Sequence, residues 1–375
     1  MNTMEHNNGN NPVRISAIDI KGYKGIDRLK LAFPKPRMND DPDIFVLGSK
    51  NGVGKTSVLE CCSLLMLAYI LESGKSKFRY DELSLLKQSN LLDIIINSKS
   101  EQATIKGVIN AGKESIATSI TIKRSGSIRA KTSLTAQMRR EISFDSSMID
   151  VNYFIESICG LTSNPVVTQP FLLFHSYRKV QEGNLEIGML LKSERPNGIG
   201  SYISRTDTPI SVFKNQILLS LMANANLFET FLAYPNQQEN INKLNDLISE
   251  YANGGVINKL QPLANNTLDI RVSPKDGGES FSFDGLSSGQ KEIISTLFMV
   301  WHYTKSQPAV VMIDEPELHL NAQWHRGIIR NLTKHMPQNQ YIIATHSEDI
   351  MAAVNKDRRM LLVPEERGRD DECSN

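Results

Sequence analysis

The chain has 375 residues, 40% of them hydrophobic, enough to bury one large core or two modest ones. Lys and Arg number 42 against 41 Asp and Glu, a formal net charge of +1, which argues against a protein that coats nucleic acid by bulk charge but leaves room for a local basic patch. Cys61, Cys62, Cys159 and Cys373 show neither metal-ligand nor disulfide-framework spacing, so reduced thiols in a cytosolic protein are expected.

Residues 1–12 are rich in Asn and lack the apolar core of a signal peptide; they are expected to form a disordered tail. Val13 to Ile20 and Leu29 to Phe33 alternate apolar and polar residues around Gly22-Tyr23-Lys24-Gly25, which predicts a hairpin. Ile44 to Leu47 predicts a short buried strand ending at Gly48, and a helix follows from about Lys55. The longest apolar stretch, Val58 to Leu71, is interrupted by Glu60 and is too short to cross a bilayer, so a buried helix and no membrane association are expected. Ile94–Ile96, Thr104–Ile109, Ile116–Lys123 and Phe171–Phe174 read as further strands. From about Ile210 to Leu263 the apolar spacing turns helical, broken at Tyr234-Pro235-Asn236 and Asn253-Gly254-Gly255, and no heptads persist for a coiled coil. Val310–Ile313, Tyr341–Ala344 and Met360–Val363 predict three more strands, before a charged tail from Pro364.

Four segments carry chemistry. Gly48-Ser49-Lys50-Asn51-Gly52-Val53-Gly54-Lys55-Thr56 follows a strand and precedes a helix, the context a phosphate-binding loop needs. Its glycines let backbone N–H groups converge on an anion, the helix N-terminus adds to them, Lys55 reaches the β- and γ-phosphates, and the Thr56 hydroxyl suits Mg²⁺. Val310 to Glu315 is an apolar strand that delivers two carboxylates at its C-terminal end: Asp314 to hold Mg²⁺, Glu315 to polarise the attacking water. Leu286-Ser287-Ser288-Gly289-Gln290 enters a helix and could form a second anion site, though taken alone it reads better as a plain N-cap formed by Ser287 or Ser288. Tyr341 to Ser347 is a strand ending in His346, placed to sense a γ-phosphate or, as for most lone strand-end histidines, simply structural.

The order and spacing of these four segments resemble the ATP-binding heads of the SMC, RecF and OLD (overcoming lysogenization defect) group of ABC ATPases. The resemblance implies an α/β fold: a P-loop ATPase head with an N-terminal antiparallel sheet and a helical insert. It divides the chain into an N-terminal lobe with Walker A (13–205), the helical insert (206–265), a C-terminal lobe with signature, Walker B and switch histidine (266–363) and a charged tail (364–375). Asn51, Gly52, Val53, Gly54, Lys55, Thr56 and Ser57 would bind ATP, and Thr56, Asp314 and a Q-loop glutamine would hold Mg²⁺. Glu315 and His346 would be catalytic. Ser287, Ser288, Gly289 and Gln290 would act in trans, on nucleotide held by a second copy, giving a homodimer through an ATP sandwich with higher assembly left open. The Q-loop residue is Gln181, beside Tyr177-Arg178, with Gln169 the alternative. The run Asp314-Glu315-Pro316-Glu317-Leu318-His319-Leu320 has the RecF- and OLD-like form, although Asn321 stands where relatives often carry His and Ser288 replaces the first Gly of the usual signature.

Fewer than thirty residues follow His346, too few for the TOPRIM nuclease that continues OLD proteins. The expected partner is therefore a separate effector, a nuclease or toxin, as with ATPase subunits of anti-phage systems such as Septu (also found with some retrons) and the phage anti-restriction-induced system. The competing expectation is a RecF-like repair ATPase that clamps DNA, for which Lys123-Arg124 to Lys131 and Arg139-Arg140 are the candidate basic stretches.

Overall fold

The computed structural model describes residues 12–38, 41–49, 52–73, 91–135, 138, 151–160, 165–176, 180, 185–186, 212–224, 237–252, 256–262 and 267–363. In chain order these form β1 (Val13–Tyr23), β2 (Ile26–Ala32), β3 (Asp43–Gly48), α1 (Lys55–Ser73), α2 (Leu91–Ile95), β4 (Gln102–Ala111), β5 (Glu114–Lys123), β6 (Ile128–Thr132), α3 (Val151–Ile158), β7 (Val166–Val167), β8 (Phe171–Phe174) and β9 (Leu185–Glu186). There follow α4 (Val212–Asn224), α5 (Gln237–Tyr251), β10 (Val256–Pro262), β11 (Thr267–Ser273), β12 (Phe281–Ser282), α6 (Ser288–Thr304), β13 (Val310–Asp314), α7 (Ala322–His335), β14 (Gln340–Thr345), α8 (Glu348–Ala352) and β15 (Arg359–Leu361).

The central sheet runs β15-β3-β14-β13-β8-β7, and every pairing in it is parallel except that of β7 with β8. The middle stretches of its inner strands β3, β14, β13 and β8 are apolar because both faces are covered, whereas the edge strand β15 leaves Met360 and Leu361 exposed. Phe45, Leu47, Val310, Met312, Ile342 and Ala344 pack towards α1, while Ile44, Val46, Val311, Ile313, Tyr341 and Ile343 pack towards α4 to α7 on the other side. The register sets Gly48 beside Thr345, and Ala344 beside Asp314, so the strands that carry the motifs end in one row.

The antiparallel sheet β2-β1-β4-β5-β6 covers the far side of α1, and the β1–β2 hairpin turns around Gly22–Gly25 as expected. Helix α1 is therefore sandwiched. Leu59, Leu64, Leu65 and Leu67 are fully buried, each stabilising the fold by about 2 kcal/mol. Among the described residues α1 alone is long and apolar enough to span a bilayer, and 89% of its apolar window lies in this core. A bulge in β1 between Ile15 and Ala17 frees backbone groups that the Gln340 side chain satisfies, accepting from Ile15 N (2.7 Å) and donating to Ile15 O (2.8 Å). The two sheets are thereby stapled together.

Two expected elements differ. Leu91 to Ile95 is helical rather than a strand at 94–96: Leu91, Leu92 and Ile95 are buried at helical spacing, and Ile96 keeps only an isolated bridge to Tyr23. Residues 256–262, inside the stretch read as helical, form β10, which pairs antiparallel with β11; that long-range pairing overrides the local pattern. The third sheet, β10-β11-β12 with β9 on β11, lies in this part of the chain.

Candidate functional site

Beyond Gly48 the chain turns through Gly52 (φ 80°) and Gly54 (φ 94°), left-handed conformations that an L side chain adopts only with strain. Gly54 also abuts the β1–β2 hairpin, since a Cβ there would lie 3.2 Å from Ile26 Cγ1. Val53 packs on the core, the Gly54 carbonyl accepts from Val58 N (3.0 Å) as α1 starts, and Ser57 is buried in its first turn. Asn51 lies outside the described residues.

The row of strand ends brings Lys55, Thr56, Asp314, Glu315 and His346 together. Lys55, 5% exposed, donates to Ser49 Oγ (3.1 Å) and lies 2.8 Å from His346 Nε2. Burial pulls its ammonium below the usual lysine range, against the opposing pull of Glu315, Asp314 and Glu317. The Thr56 hydroxyl donates to Asp314 Oδ2 (2.8 Å), and Asp314 is 1% exposed. A buried carboxylate beside a hydroxyl is the hard-oxygen pair that suits Mg²⁺. Glu315 Oε1 lies 3.3 Å from His346 Nε2. That single nitrogen can accept from Lys55 only through its lone pair and donate to Glu315 only when protonated, so one proton decides which neighbour His346 serves.

Glu315 itself sits at φ 46° and His319 at φ 64°, two non-glycine residues in the left-handed region that bracket the loop after β13. Such conformations cost about 1–3 kcal/mol each and persist where the surroundings fix them. Glu315 N donates to Ala344 O (2.8 Å), and Leu318 N and Leu320 N close turns onto Glu315 O and Glu317 O. Asn321 is the N-cap of α7 and accepts from Gln323 N (3.1 Å).

The signature segment has a different geometry. Ser287 caps α6 in a full capping box: its hydroxyl accepts from Gln290 N (3.3 Å), and Gln290 Oε1 accepts from Ser287 N (3.0 Å). The plain-cap reading thus describes how Ser287 is held, while Ser288 is exposed at the first position of the helix. Gln290 also donates to Tyr251 O (3.0 Å). Gly289 is pressed onto the loop after β13, where a Cβ would meet the His319 carbonyl at 2.5 Å.

Gln181 lies outside the described residues. Gln169, the alternative, does not reach the site: the parallel register of β8 on β13 pairs Phe171 with Val310, which leaves Gln169 at the opposite end of the sheet, where it donates to Tyr303 O. Arg124, in the candidate basic stretch, is committed within the protein to Asp93, Ser100 O and Asn97 O, and Arg139-Arg140 lies outside the described residues.

Sequence reasoning quoted Glu317 without giving it a role. Its Oε1 accepts from Thr345 Oγ1 (2.7 Å), His346 N (2.7 Å) and Ser347 N (3.1 Å). It named Glu60 only as an interruption of an apolar run; this buried acid, one turn beyond Thr56 in α1, is salt-bridged to Lys24 (2.6 Å) and accepts from Tyr23 Oη (3.0 Å). Burial raises the Glu60 carboxyl, against the opposing effect of Lys24. The signal for Glu60 was the single acid inside the Val58–Leu71 apolar run. Cys61, Cys62 and Cys159 are buried free thiols pushed up by burial, Cys159 to about 12, as fits inert core residues.

Residues 192–351, somewhat less than half of the chain, match the family model described as an AAA ATPase domain (AAA_15). Over 101 residues the chain is 30% identical to "Retron Vc95 probable ATPase" of Vibrio cholerae serotype O1 biovar El Tor, a match that covers 24% of this chain and 19% of the relative's length. Among solved structures it is similar to an Smc head bound to the C-winged helix domain of ScpA (TM-score 0.50, 14% identity, 91% of each chain). It is equally similar to an Smc head with an extended coiled coil bound to the C-terminal domain of ScpA derived from Pyrococcus furiosus (TM-score 0.50, 14% identity, 94% of each chain). The fold is that of an SMC-head-like ATPase, a mixed α/β head with an antiparallel sheet.

Proposed function

We propose that the chain is a Mg²⁺-dependent ATP hydrolase whose ATP-bound form pairs with a second copy and serves as sensor and scaffold for a separate effector, a nuclease or toxin, in anti-phage defence. The observation that carries the ATPase reading is the convergence of Lys55, Thr56, Asp314, Glu315 and His346 at one end of the parallel sheet, the place where open α/β folds bind ligands. The match to an AAA ATPase domain supports it, and the partial similarity to a retron ATPase supports the defence role.

In this reading Lys55 and the loop N–H groups hold the β- and γ-phosphates, releasing Lys55 from His346. Thr56 and Asp314 would hold the cation, which would supply charge neutralisation on the phosphate oxygens. Glu315 accepts a proton from the attacking water as its oxygen bonds to the γ-phosphorus and the bond to the bridging oxygen of ADP breaks in line. His346 donates to the γ-phosphate oxygens. Ser287 and Gly289 act on nucleotide held by the second copy, the helix N-terminus of α6 adding its own attraction for the anion.

The mass of the Glu315→Gln protein, co-expressed with its genomic neighbours and measured with and without ATP and Mg²⁺, tests the assembly. An ATP-locked dimer that retains a neighbour-encoded nuclease or toxin is the expected result. A dimer that instead retains DNA would replace the effector reading by a DNA clamp, and a monomer in both conditions would remove the sandwich.

A further inference from the structure

We infer that Glu317 is a positioning residue which locks the switch segment Thr345–Ser347 to the loop after β13, so that His346 and Glu315 are aimed as one unit. This rests on the ATPase reading for its consequence in turnover, though not for its geometry.

One carboxylate oxygen, Oε1, collects three donors from three consecutive residues: the Thr345 hydroxyl and the His346 and Ser347 amides. Hydrogen bonds to an ionised acceptor are about twice as strong as neutral ones, and a carboxylate this enclosed would be costly without them. The other oxygen is buried with no hydrogen-bond partner among the described residues, so the binding of Glu317 is concentrated on the switch segment. Pro316 between the two acids fixes its own φ, and the turn Leu320 N to Glu317 O (2.9 Å) ties Glu317 into the loop. Two carboxylates two residues apart on one stiff loop thus grip the same histidine, Glu315 at its ring and Glu317 at its backbone.

The grip continues outward. Ser347, whose amide Glu317 holds, caps α8 through Ile350 N (3.4 Å) and contacts His325 Nδ1 of α7 (3.1 Å). A purely local staple would need no charge and no link to the catalytic pair. A positioning role predicts that losing Glu317 harms the chemical step only by way of His346.

The test compares Glu317→Ala, Glu317→Gln, His346→Ala and the double variant Glu317→Ala/His346→Ala in the full chain. Amide hydrogen exchange should accelerate about tenfold or more at His346 and Ser347 in Glu317→Ala, and less in Glu317→Gln, which keeps a neutral acceptor. With ATP and Mg²⁺, Glu317→Ala should lower kcat about 10- to 100-fold while the Kd for ATP shifts less than about threefold. In the His346→Ala background the same substitution should change kcat by less than about twofold. Unchanged exchange at His346 and Ser347 in both Glu317 variants overturns the lock, as does a full, additive loss of kcat on top of His346→Ala. If Glu317→Ala does not fold, Glu317→Gln alone decides through exchange. A wild-type chain that releases no phosphate removes the ATPase reading and leaves the lock to be judged by exchange.

Discussion

The two sheets that sandwich α1 are built from similar residues and put to opposite uses. In β2-β1-β4-β5-β6 the apolar residues alternate with polar ones; the inner row, Ile105, Ile109, Ile116, Ile120 and Ile122, is buried, and the polar side chains face outward as scaffold. In the central sheet the inner strands are apolar on both faces, and polar groups collect at the ends, where the strands run out between Gly48, Thr345 and Asp314. Left-handed backbone occurs at the turns of the first sheet, at Gly22, Lys24, Gly112 and Gly126, and at the ends of the second, at Gly52, Gly54, Glu315 and His319; only in the second do acid and imidazole side chains of the candidate site occupy it. Regular pairing positions the site, and irregular backbone at the strand ends forms it.

That contrast is broken most severely at Lys55. Lys55→Ala should raise the Kd for ATP by at least about 100-fold in isothermal titration while the thermal transition stays put, because the ammonium proposed to meet phosphate is removed but the α1 core is not. A simultaneous collapse of the thermal transition would assign Lys55 to the scaffold instead.

A titration separates a third region, where α5 meets α6. His302 is partly buried, lies 3.2 Å from Asn240 Oδ1 and stacks on Phe298; desolvation, helped by Lys305, lowers its pKa to about 4. The unfolded histidine takes up its proton near pH 6.5 while the folded one resists until about pH 4, so the unfolded state binds more protons between those values. Stability should therefore fall as pH drops through that window, by about 3 kcal/mol in all. His302→Gln should flatten that acid limb in denaturant melts; a limb of unchanged steepness would mean the histidine ionises freely in the fold.

Gly289→Ala sharpens the comparison at the α6 N-terminus. The added Cβ meets a backbone carbonyl, that of His319, at 2.5 Å, so the loop after β13 must shift and stability should drop by about 1–3 kcal/mol. Gly327, inside α7, has no heavy atom within 4 Å of the added Cβ, and Gly327→Ala should be neutral or stabilise by up to about 1 kcal/mol. Equal melting temperatures for the two variants would show that α6 does not rest on that loop.

The sequence made legible what repeats or what local chemistry dictates. The β1–β2 hairpin, the strand before the phosphate loop, α1, and the strands ending at Asp314 and Thr345 follow from period and flanking turns. Residues 256–262 did not, because their strand exists through pairing with β11. Gln340 was equally hidden: its task is to satisfy the bulge at Ile15, 325 positions away. Glu317 stood in plain view within the Asp-Glu-Pro-Glu run, but only the meeting of two strand ends shows that its oxygen faces Thr345, His346 and Ser347.

Phosphate release from Mg²⁺–ATP by the Glu315→Gln protein, measured alongside its Kd for ATP, tests the ATPase account most directly. The account predicts wild-type affinity with release slowed at least about 100-fold, since the proton acceptor is removed and the phosphate cradle is not. Release at the wild-type rate would contradict it.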